Sequence, residues 1–185
     1  MRELRRKLFH LGLGAFVIGL ALNPDREYAI LFLFGAFLAG LGVLSLKLRG
    51  LFVPLADELL TRLSRKDEPP GYGAFWYVTG MLLILTFVKP DGYMLASLMM
   101  LCISDATSAL VGRMGSHKLP YNKIKTFEGT LAFVIVSAVS FFWLGPIAIP
   151  FALFGALIES IDSRLDDNLR IAVFCIVFFF AARIA

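Results

Sequence analysis

The sequence has 185 residues, of which 58% are hydrophobic and 17% are charged, and its mean hydropathy is +0.78. Soluble domains carry about 25% charged residues, so this composition excludes an ordinary soluble domain. It predicts an all-α, polytopic integral membrane protein in which residues 1–185 form one transmembrane domain. The net charge is +4, and no nucleic-acid partner is expected. Cys102 and Cys175 both lie in apolar runs, where we expect small packing residues and not a disulfide or a metal pair.

Long apolar runs predict the membrane-crossing helices, because runs of about 20 residues match a hydrocarbon core about 30 Å thick. About seven spans are predicted, at about residues 8–22, 28–46, 72–88, 93–112, 127–144, 147–161 and 169–185. Small residues in the second run are expected to allow close helix packing. They are Gly35, Ala36, Ala39, Gly40 and Gly42.

A basic segment begins the chain. Arg6 and Lys7 lie four and three residues before His10, so on a helix all three can face the same way at its cytoplasmic end. The alternative is ordinary anchoring by basic residues next to the membrane, which explains the cations well and His10 poorly. A cleaved signal peptide is not expected, because no convincing small-x-small cleavage site follows the first run.

The first long polar stretch, residues 47–71, follows the second span. It contains an amphipathic pattern over about residues 54–65, with four leucines on one side and charged residues on the other. This pattern predicts a helix that lies in the cytoplasmic membrane interface. A plain connecting helix is the alternative.

A carboxylate lies inside the fourth apolar run. An unpaired Asp in such surroundings costs roughly 2.5–3.5 kcal/mol on insertion scales, so Asp105 by default marks a functional site. Helical spacing places Ser108, Ala109 and Gly112 on the same face. Because these residues are small, a bulky group has room to approach Asp105.

The loop after this run is rich in cations and glycines. It contains Arg113, Gly115, Lys118, Lys123 and Lys125, and it leads into Thr126, Glu128 and Gly129 at the start of the next run. This combination suits a polyphosphate with its metal. The carboxylate would hold Mg²⁺, and the cations and free N–H groups would hold phosphate oxygens. The alternative is a solvated basic loop beside a tolerated Asp.

A second group of carboxylates follows the sixth span. Glu159, Asp162 and Asp166 have the spacing of one helical face, and Asp167 and Asn168 come directly after them. Clustered carboxylates repel one another unless a cation neutralises them, so this group predicts a further set of metal contacts. A solvated acidic loop explains the spacing equally well.

The distribution of cations predicts the topology. With the N-terminus in the cytoplasm and seven spans, 15 of the 18 Lys and Arg residues lie on the cytoplasmic side. The same assignment puts every candidate chemical group at the cytoplasmic end of the membrane. We therefore expect one cytoplasmic site that uses a charged, water-soluble substrate together with a lipid.

Taken together, these motifs resemble the CTP-using membrane lipid enzymes, a group that includes dolichol kinase, phytol kinase, CTP-dependent diacylglycerol kinase and phosphatidate cytidylyltransferase. The central motif consists of Asp105, Ala109, Gly112-Arg113, Gly115 and Lys118, followed by Lys125-Thr126 and Glu128-Gly129. Two further features are similar to the kinase branch. They are the run from Arg6 to His10, and Glu159 followed by Asp166-Asp167-Asn168-Leu169.

The resemblance implies a CTP-dependent kinase that transfers a γ-phosphoryl group to the hydroxyl of a membrane lipid alcohol, such as a polyprenol, dolichol or phytol, with Mg²⁺ as cofactor. In that case Asp105, Glu159, Asp166 and Asp167 would bind the metal. CTP would contact Arg6, Lys7, Ser108, Gly112, Arg113, Gly115, Lys118, Lys123, Lys125, Thr126, Gly129 and Asn168. Glu128 would orient a lysine or a metal-bound water. Either His10 or a carboxylate such as Asp166 would accept the hydroxyl proton.

Two other functions compete with the kinase. In a cytidylyltransferase, a lipid phosphate would attack the α-phosphorus of CTP. A transporter or a non-catalytic lipid-binding protein belongs to a different class, and transporters often contain inverted repeats and helices interrupted near the midplane. This sequence has no convincing repeat, and its charges cluster at one end of the spans. It leaves the acceptor lipid and the oligomeric state open.

Overall fold

The computed structural model describes residues 2–22, 26–54, 56–58, 69 and 71–182, with side chains from residue 4 onwards. Within these residues the regular structure is helical, apart from an isolated bridge between Lys118 and Thr126, so the prediction of an all-α chain is confirmed for this part. Three helices are long and apolar enough to cross a membrane, namely Glu27–Leu48, Asp91–Gly112 and Phe141–Ser160. These helices suggest a membrane protein, and the number of seven spans stays a prediction.

The helices of the described residues follow the apolar runs closely. In chain order they are α1 (Arg2–Ala21), α2 (Glu27–Leu48), α3 (Tyr72–Phe87), α4 (Asp91–Met99), α5 (Asp105–Gly112), α6 (Phe127–Ala138), α7 (Phe141–Leu144), α8 (Ala148–Ser160) and α9 (Asp167–Ala181). A π-helical turn, Met100–Ser104, joins α4 to α5, and a 3₁₀ turn, Gly145–Ile147, joins α7 to α8. Helix α1 begins well before residue 8, so the basic residues lie on the helix itself.

The continuous helix Asp91–Gly112 lies at the centre of the bundle. In the most apolar part of this helix 72% of the residues are buried, whereas in the most apolar part of α2 only 11% are buried. Helix α1 approaches this central helix closely at Gly14, where a Cβ atom would lie 2.4 Å from Cβ of Cys102 and 2.5 Å from the Tyr77 hydroxyl oxygen. Because a larger residue does not fit there, this contact fixes the basic end of α1 relative to Asp105.

The predicted fifth span, residues 127–144, is broken in the structure. Helix α6 ends after 12 residues, because Val139 and Ser140 donate their N–H groups to carbonyls three residues earlier. The Ser140 hydroxyl also donates to the Ser137 carbonyl over 2.6 Å, and such local bonds compete with the helix ladder. The short helix α7 follows, and the 3₁₀ turn Gly145–Ile147 joins it to α8. The helix therefore breaks at residues 139–140, which the sequence did not predict, and again at Gly145, at the predicted boundary of residues 145–146.

Two further predictions from the sequence concern the second span and its surroundings. A Cβ atom at Gly35, Gly40 or Gly42 meets nothing within 4 Å among the described residues, so the prediction that these glycines allow close packing is wrong for this part of the chain. Most of the predicted interfacial helix, residues 54–65, lies outside the described residues. Residues 183–185, at the end of the predicted seventh span, also lie outside them.

Candidate active site

Asp105 is buried and paired with a lysine from the start of the chain. Its Oδ2 atom accepts a hydrogen bond from Lys7 Nζ, and the two side chains are 1% and 4% exposed. A π-helical turn, a feature frequent at functional sites, directly precedes Asp105. Because a buried charge requires a hydrogen-bonded partner, Lys7 is the residue that allows α5 to keep a carboxylate in apolar surroundings.

A second buried pair lies one helical turn further along α5. Ser108 Oγ donates to Glu159 Oε1 over 3.2 Å, and Lys125 Nζ donates to the same oxygen. Glu159 is 0% exposed. Lys125 also reaches Asp167 Oδ2 over 3.4 Å. This lysine therefore ties the loop after α5 to the end of α8 and the start of α9.

The beginning of α9 is held by its own polar residues. Asp166 caps the helix, since its Oδ1 accepts from the backbone N–H of Asn168 over 2.9 Å and from Asn168 Nδ2 over 2.8 Å. Arg170 donates to Asp167 Oδ1 and to the carbonyls of Ile158 and Ile161, over 2.8 and 2.7 Å for the two carbonyls. These contacts fix Asp167 beside Lys125.

Arg6 lies close to Asp166 at the start of α3. A Cβ atom at Gly73 would be 3.1 Å from Arg6 Nη1 and 4.0 Å from Asp166 Oδ2. Arg6 is only 5% exposed. The absence of a side chain at Gly73 thus gives the guanidinium its place near the Asp166 carboxylate.

His10 is buried against Tyr77. Their rings stack with centroids 4.1 Å apart, and the Tyr77 hydroxyl donates to the His10 backbone carbonyl over 2.6 Å. His10, Lys7 and Arg6 are all buried, as expected for residues that share one face of α1. The structure therefore brings all three toward the interior of the bundle.

The glycines at the two ends of the loop allow α5 and α6 to cross closely. A Cβ atom at Gly129 would lie 2.8 Å from the Ser108 carbonyl and 3.0 Å from Cα of Gly112. Thr126 caps α6 by accepting the Gly129 N–H over 3.1 Å. The crossing brings both ends of the loop next to Ser108.

Glu128 holds the loop in shape. Its Oε1 accepts from the backbone N–H groups of Ser116 and His117, over 3.0 and 3.2 Å, and lies 2.7 Å from His117 Nδ1. Gly115 leaves room for this carboxylate, because a Cβ atom there would lie 2.6 Å from Glu128 Oε2. Within the described part of the chain, Glu128 makes these contacts and none to a lysine.

The remaining charged candidates lie away from this cluster. Arg113, Lys118 and Lys123 are exposed, whereas Lys125 turns inward. Asp162 is also exposed. Helix α8 ends at Ser160, so the prediction that Glu159, Asp162 and Asp166 share one helical face is wrong.

Asn122 is a buried residue next to these side chains that no sequence pattern singled out. This residue is 5% exposed and hydrogen-bonds to the end of α8. A polar residue in a polar loop has no distinguishing periodicity, so only its burial in the folded chain marks it. Arg170 has no distinguishing pattern either, because a cation at the start of an apolar run is ordinary.

Two carboxylate oxygens at the site are buried and have no hydrogen-bond partner among the described residues, namely Asp105 Oδ1 and Glu159 Oε2. The amide oxygen Oδ1 of Asn168 is in the same situation. No three His, Cys, Asp or Glu side chains in the described ranges converge as a complete metal site. Mg²⁺ is usually bound through one or two carboxylates together with waters and substrate phosphates, so the available oxygens fit that ion when a phosphate completes its shell.

Burial and neighbouring charges shift the pKa values of Lys125 and Asp166. Burial disfavours the charged form of Lys125, but the carboxylates of Glu159, Asp167 and Asp105 outweigh it and raise the pKa of Lys125 above its ordinary value. Burial raises the pKa of Asp166, and the hydrogen bonds from Asn168 only partly oppose this shift. Lys125 therefore stays cationic at neutral pH, as a ligand for phosphate requires.

Comparisons with known proteins identify relatives that match most of this chain. An uncharacterized protein of Methanocaldococcus jannaschii is 29% identical over 91% of this chain and 88% of its own length. Probable phytol kinase 2 of Oryza sativa is 28% identical over 92% of this chain and 63% of its own length. CTP-dependent diacylglycerol kinase 1 of Saccharomyces cerevisiae is 30% identical over 75% of this chain and 49% of its own length.

Other plant phytol kinases and a farnesol kinase match with identities between 25% and 29%. No family model and no solved structure gives a significant match. The chain spans less than two thirds of the length of the named kinases that it matches. Its homologues are phytol, farnesol and CTP-dependent diacylglycerol kinases, consistent with a CTP-dependent polyprenol and phytol kinase family.

Proposed function

We propose that this protein is a CTP-dependent kinase that transfers the γ-phosphoryl group to the hydroxyl of a membrane lipid alcohol of the polyprenol, dolichol or phytol type. The observation that carries the proposal is a pair of lysine–carboxylate contacts. Lys7 and Asp105 of α5 form the buried one, and Lys125 and Glu159 form the half-buried one, which Ser108 of α5 also reaches. The similarity to phytol, farnesol and CTP-dependent diacylglycerol kinases supports both a lipid acceptor and CTP as donor.

The proposed site offers carboxylates to a metal ion and cationic side chains to the phosphates of CTP. Asp105 and Glu159, with Asp166, Asp167 and Asn168 nearby, would hold Mg²⁺ through the unpartnered oxygens. When bound, the ion neutralises phosphate charge and orients the triphosphate. Lys125, Lys7 and Arg6 would hold phosphate oxygens, and the exposed cations of the loop would complete the contacts to CTP at its outer edge.

Phosphoryl transfer depends mainly on positioning and on charge neutralisation. The acceptor oxygen forms a bond to the γ-phosphorus while the bond from that phosphorus to the β-phosphate oxygen breaks, so CDP leaves. The hydroxyl proton passes to a base, for which His10 and Asp166 are both candidates. The lipid would enter sideways from the bilayer, with its hydroxyl at the cytoplasmic rim.

The decisive experiment follows the phosphorus atom. The purified protein is given Mg²⁺, a lipid alcohol and CTP labelled at either the α or the γ position. We expect the γ label in the lipid and CDP as the second product. Label in a lipid from α-labelled CTP, with a lipid phosphate as substrate and pyrophosphate released, would instead identify a cytidylyltransferase. Repeating the assay with polyprenols, phytol and diacylglycerol assigns the acceptor.

A cytoplasmic site makes a prediction about side-specific labelling. Ser116 is exposed in the loop that follows the continuous helix Asp91–Gly112, and Asp91 begins that helix, which is about 33 Å long at 1.5 Å per residue. We expect a cysteine at position 116 to react with an impermeant thiol reagent only from the cytoplasmic side, and one at position 91 only from the other side. The native Cys102 and Cys175 are buried and provide the unlabelled background. External labelling at position 116 would contradict the proposed side.

A further inference from the structure

We propose that Asn122 is a positioning residue, which sets Lys125 against Glu159 and Asp167 and so prepares the site for the phosphates of the nucleotide. The inference rests on the proposed function. Between residues 118 and 124 only Leu119 and Asn122 are buried, at 2% and 5% exposure, while their neighbours are exposed. Asn122 is therefore the polar residue that this loop turns inward.

One side of the Asn122 amide is bound to the end of α8. Its Nδ2 donates to the Ser160 carbonyl over 2.9 Å. Tyr121 strengthens the same attachment, since its hydroxyl lies 2.8 Å from Ser160 Oγ, which itself donates to the Leu157 carbonyl over 2.8 Å. Ser160 directly follows Glu159, so the loop is attached next to the carboxylate that Lys125 meets.

The other side of the amide holds the backbone of Lys125. Asn122 Oδ1 accepts the N–H of Ile124 over 3.0 Å and the N–H of Lys125 over 3.4 Å, in the manner of an Asx turn. A single side chain therefore joins the backbone of Lys125 to the backbone that carries Glu159. An Asn amide has both acceptors and donors, and no apolar residue can make both contacts.

The physical need for such a link comes from the length of the lysine. A lysine side chain has large rotamer freedom, and fixing it opposes binding. A fixed backbone places Nζ within reach of both carboxylates before the nucleotide arrives, and groups positioned in advance act without reorganisation. The N–H of Leu119 also holds the Lys125 carbonyl over 3.1 Å, but that contact lies within the loop, whereas Asn122 connects the backbone of Lys125 to the end of α8.

The test compares three variants in the full chain. Asn122→Ala removes both contacts, and Asn122→Asp keeps the Oδ1 acceptor but loses the donor to Ser160. Met114→Ala is the matched control, because Met114 lies in the same loop and is 89% exposed. One readout is kcat and KM for CTP with a lipid alcohol as acceptor. The other is the rate of trypsin cleavage after Lys123 without nucleotide, which reports on the loop independently of activity.

For Asn122→Ala we expect KM for CTP to rise about tenfold while kcat falls less than about threefold, because a phosphate contact used in both ground and transition states is weakened. Cleavage after Lys123 should become faster. Asn122→Asp should show at least half of the change in KM on a logarithmic scale, and Met114→Ala should match the wild type in both readouts.

Several results would overturn the inference. An unchanged KM in Asn122→Ala does so even when cleavage is faster, because Asn122 would then anchor the loop without positioning Lys125. A wild-type KM in Asn122→Asp would show that the hydrogen bond from Asn122 to the Ser160 carbonyl does not position Lys125. An active wild type with unchanged variants overturns this inference alone, whereas a wild type without CTP-dependent transfer overturns the proposed function as well.

Discussion

Replacing Asp105 with Asn is expected to lower kcat roughly a thousandfold, the scale seen when one electrostatic group of a phosphoryl-transfer or oxyanion site is removed. The neutral amide keeps the shape of the side chain but cannot hold Mg²⁺ as a carboxylate does. The measurement is the rate of γ-label transfer at saturating CTP and Mg²⁺. Turnover near the wild-type value would contradict the central assignment.

A control variant distinguishes the loss of catalysis from the loss of stability that an unpaired buried charge causes. Asp105→Asn leaves the ammonium of Lys7 buried without its carboxylate, and breaking a buried pair in this way destabilises a protein by about 3–5 kcal/mol. The double variant Lys7→Met with Asp105→Asn removes both charges and should recover the apparent melting temperature in detergent. It should remain inactive, because the metal contact and a phosphate contact are both lost. Recovery of activity in the double variant would mean that Asp105 serves only to neutralise Lys7.

Replacing Lys125 with Met is expected to lower kcat/KM for CTP about a hundredfold and also to lower the melting temperature. The stability loss follows because Glu159 is 0% exposed and keeps Ser108 as its only partner in the described part of the chain. An unpaired buried carboxylate is strongly destabilising. Steady-state kinetics and thermal unfolding of the same preparation measure the two effects.

Two further variants test whether the effect of Lys125→Met comes from its pairing with Glu159. Lys123→Met removes an exposed cation from the same loop and should leave the melting temperature unchanged. The double variant Lys125→Met with Glu159→Gln should recover much of the lost stability, with a coupling energy of about 0.5–3 kcal/mol in a double-mutant cycle. Its activity should stay low. A double variant as active as the wild type would show that Lys125 has no role beyond pairing with Glu159.

Local hydropathy and residue spacing predicted the features that depend on one helix alone, namely where it starts and which residues share a face. Apolar runs gave helices α2, α3 and α9 nearly at their observed starts, because backbone bonds in an apolar medium must be satisfied within each segment. Spacing on α1 placed Arg6, Lys7 and His10 on one face. The turn at residues 139–140 was missed, because a Ser137–Ser140 hydrogen bond decides it and hydropathy does not register such a bond.

The sequence by itself indicated a membrane protein and predicted the helical runs and the charged residues that lie in or next to them. Only the tertiary structure decided which charges meet. Lys7 and Asp105 are 98 positions apart and Lys125 and Glu159 are 34 apart, so no periodicity links them. Their pairing depends on two close approaches, of Gly14 to the Cys102 and Tyr77 side chains and of Gly129 to the backbone of Ser108 and Gly112. Those contacts set which helix faces are opposed, and hence which cation can neutralise which buried carboxylate.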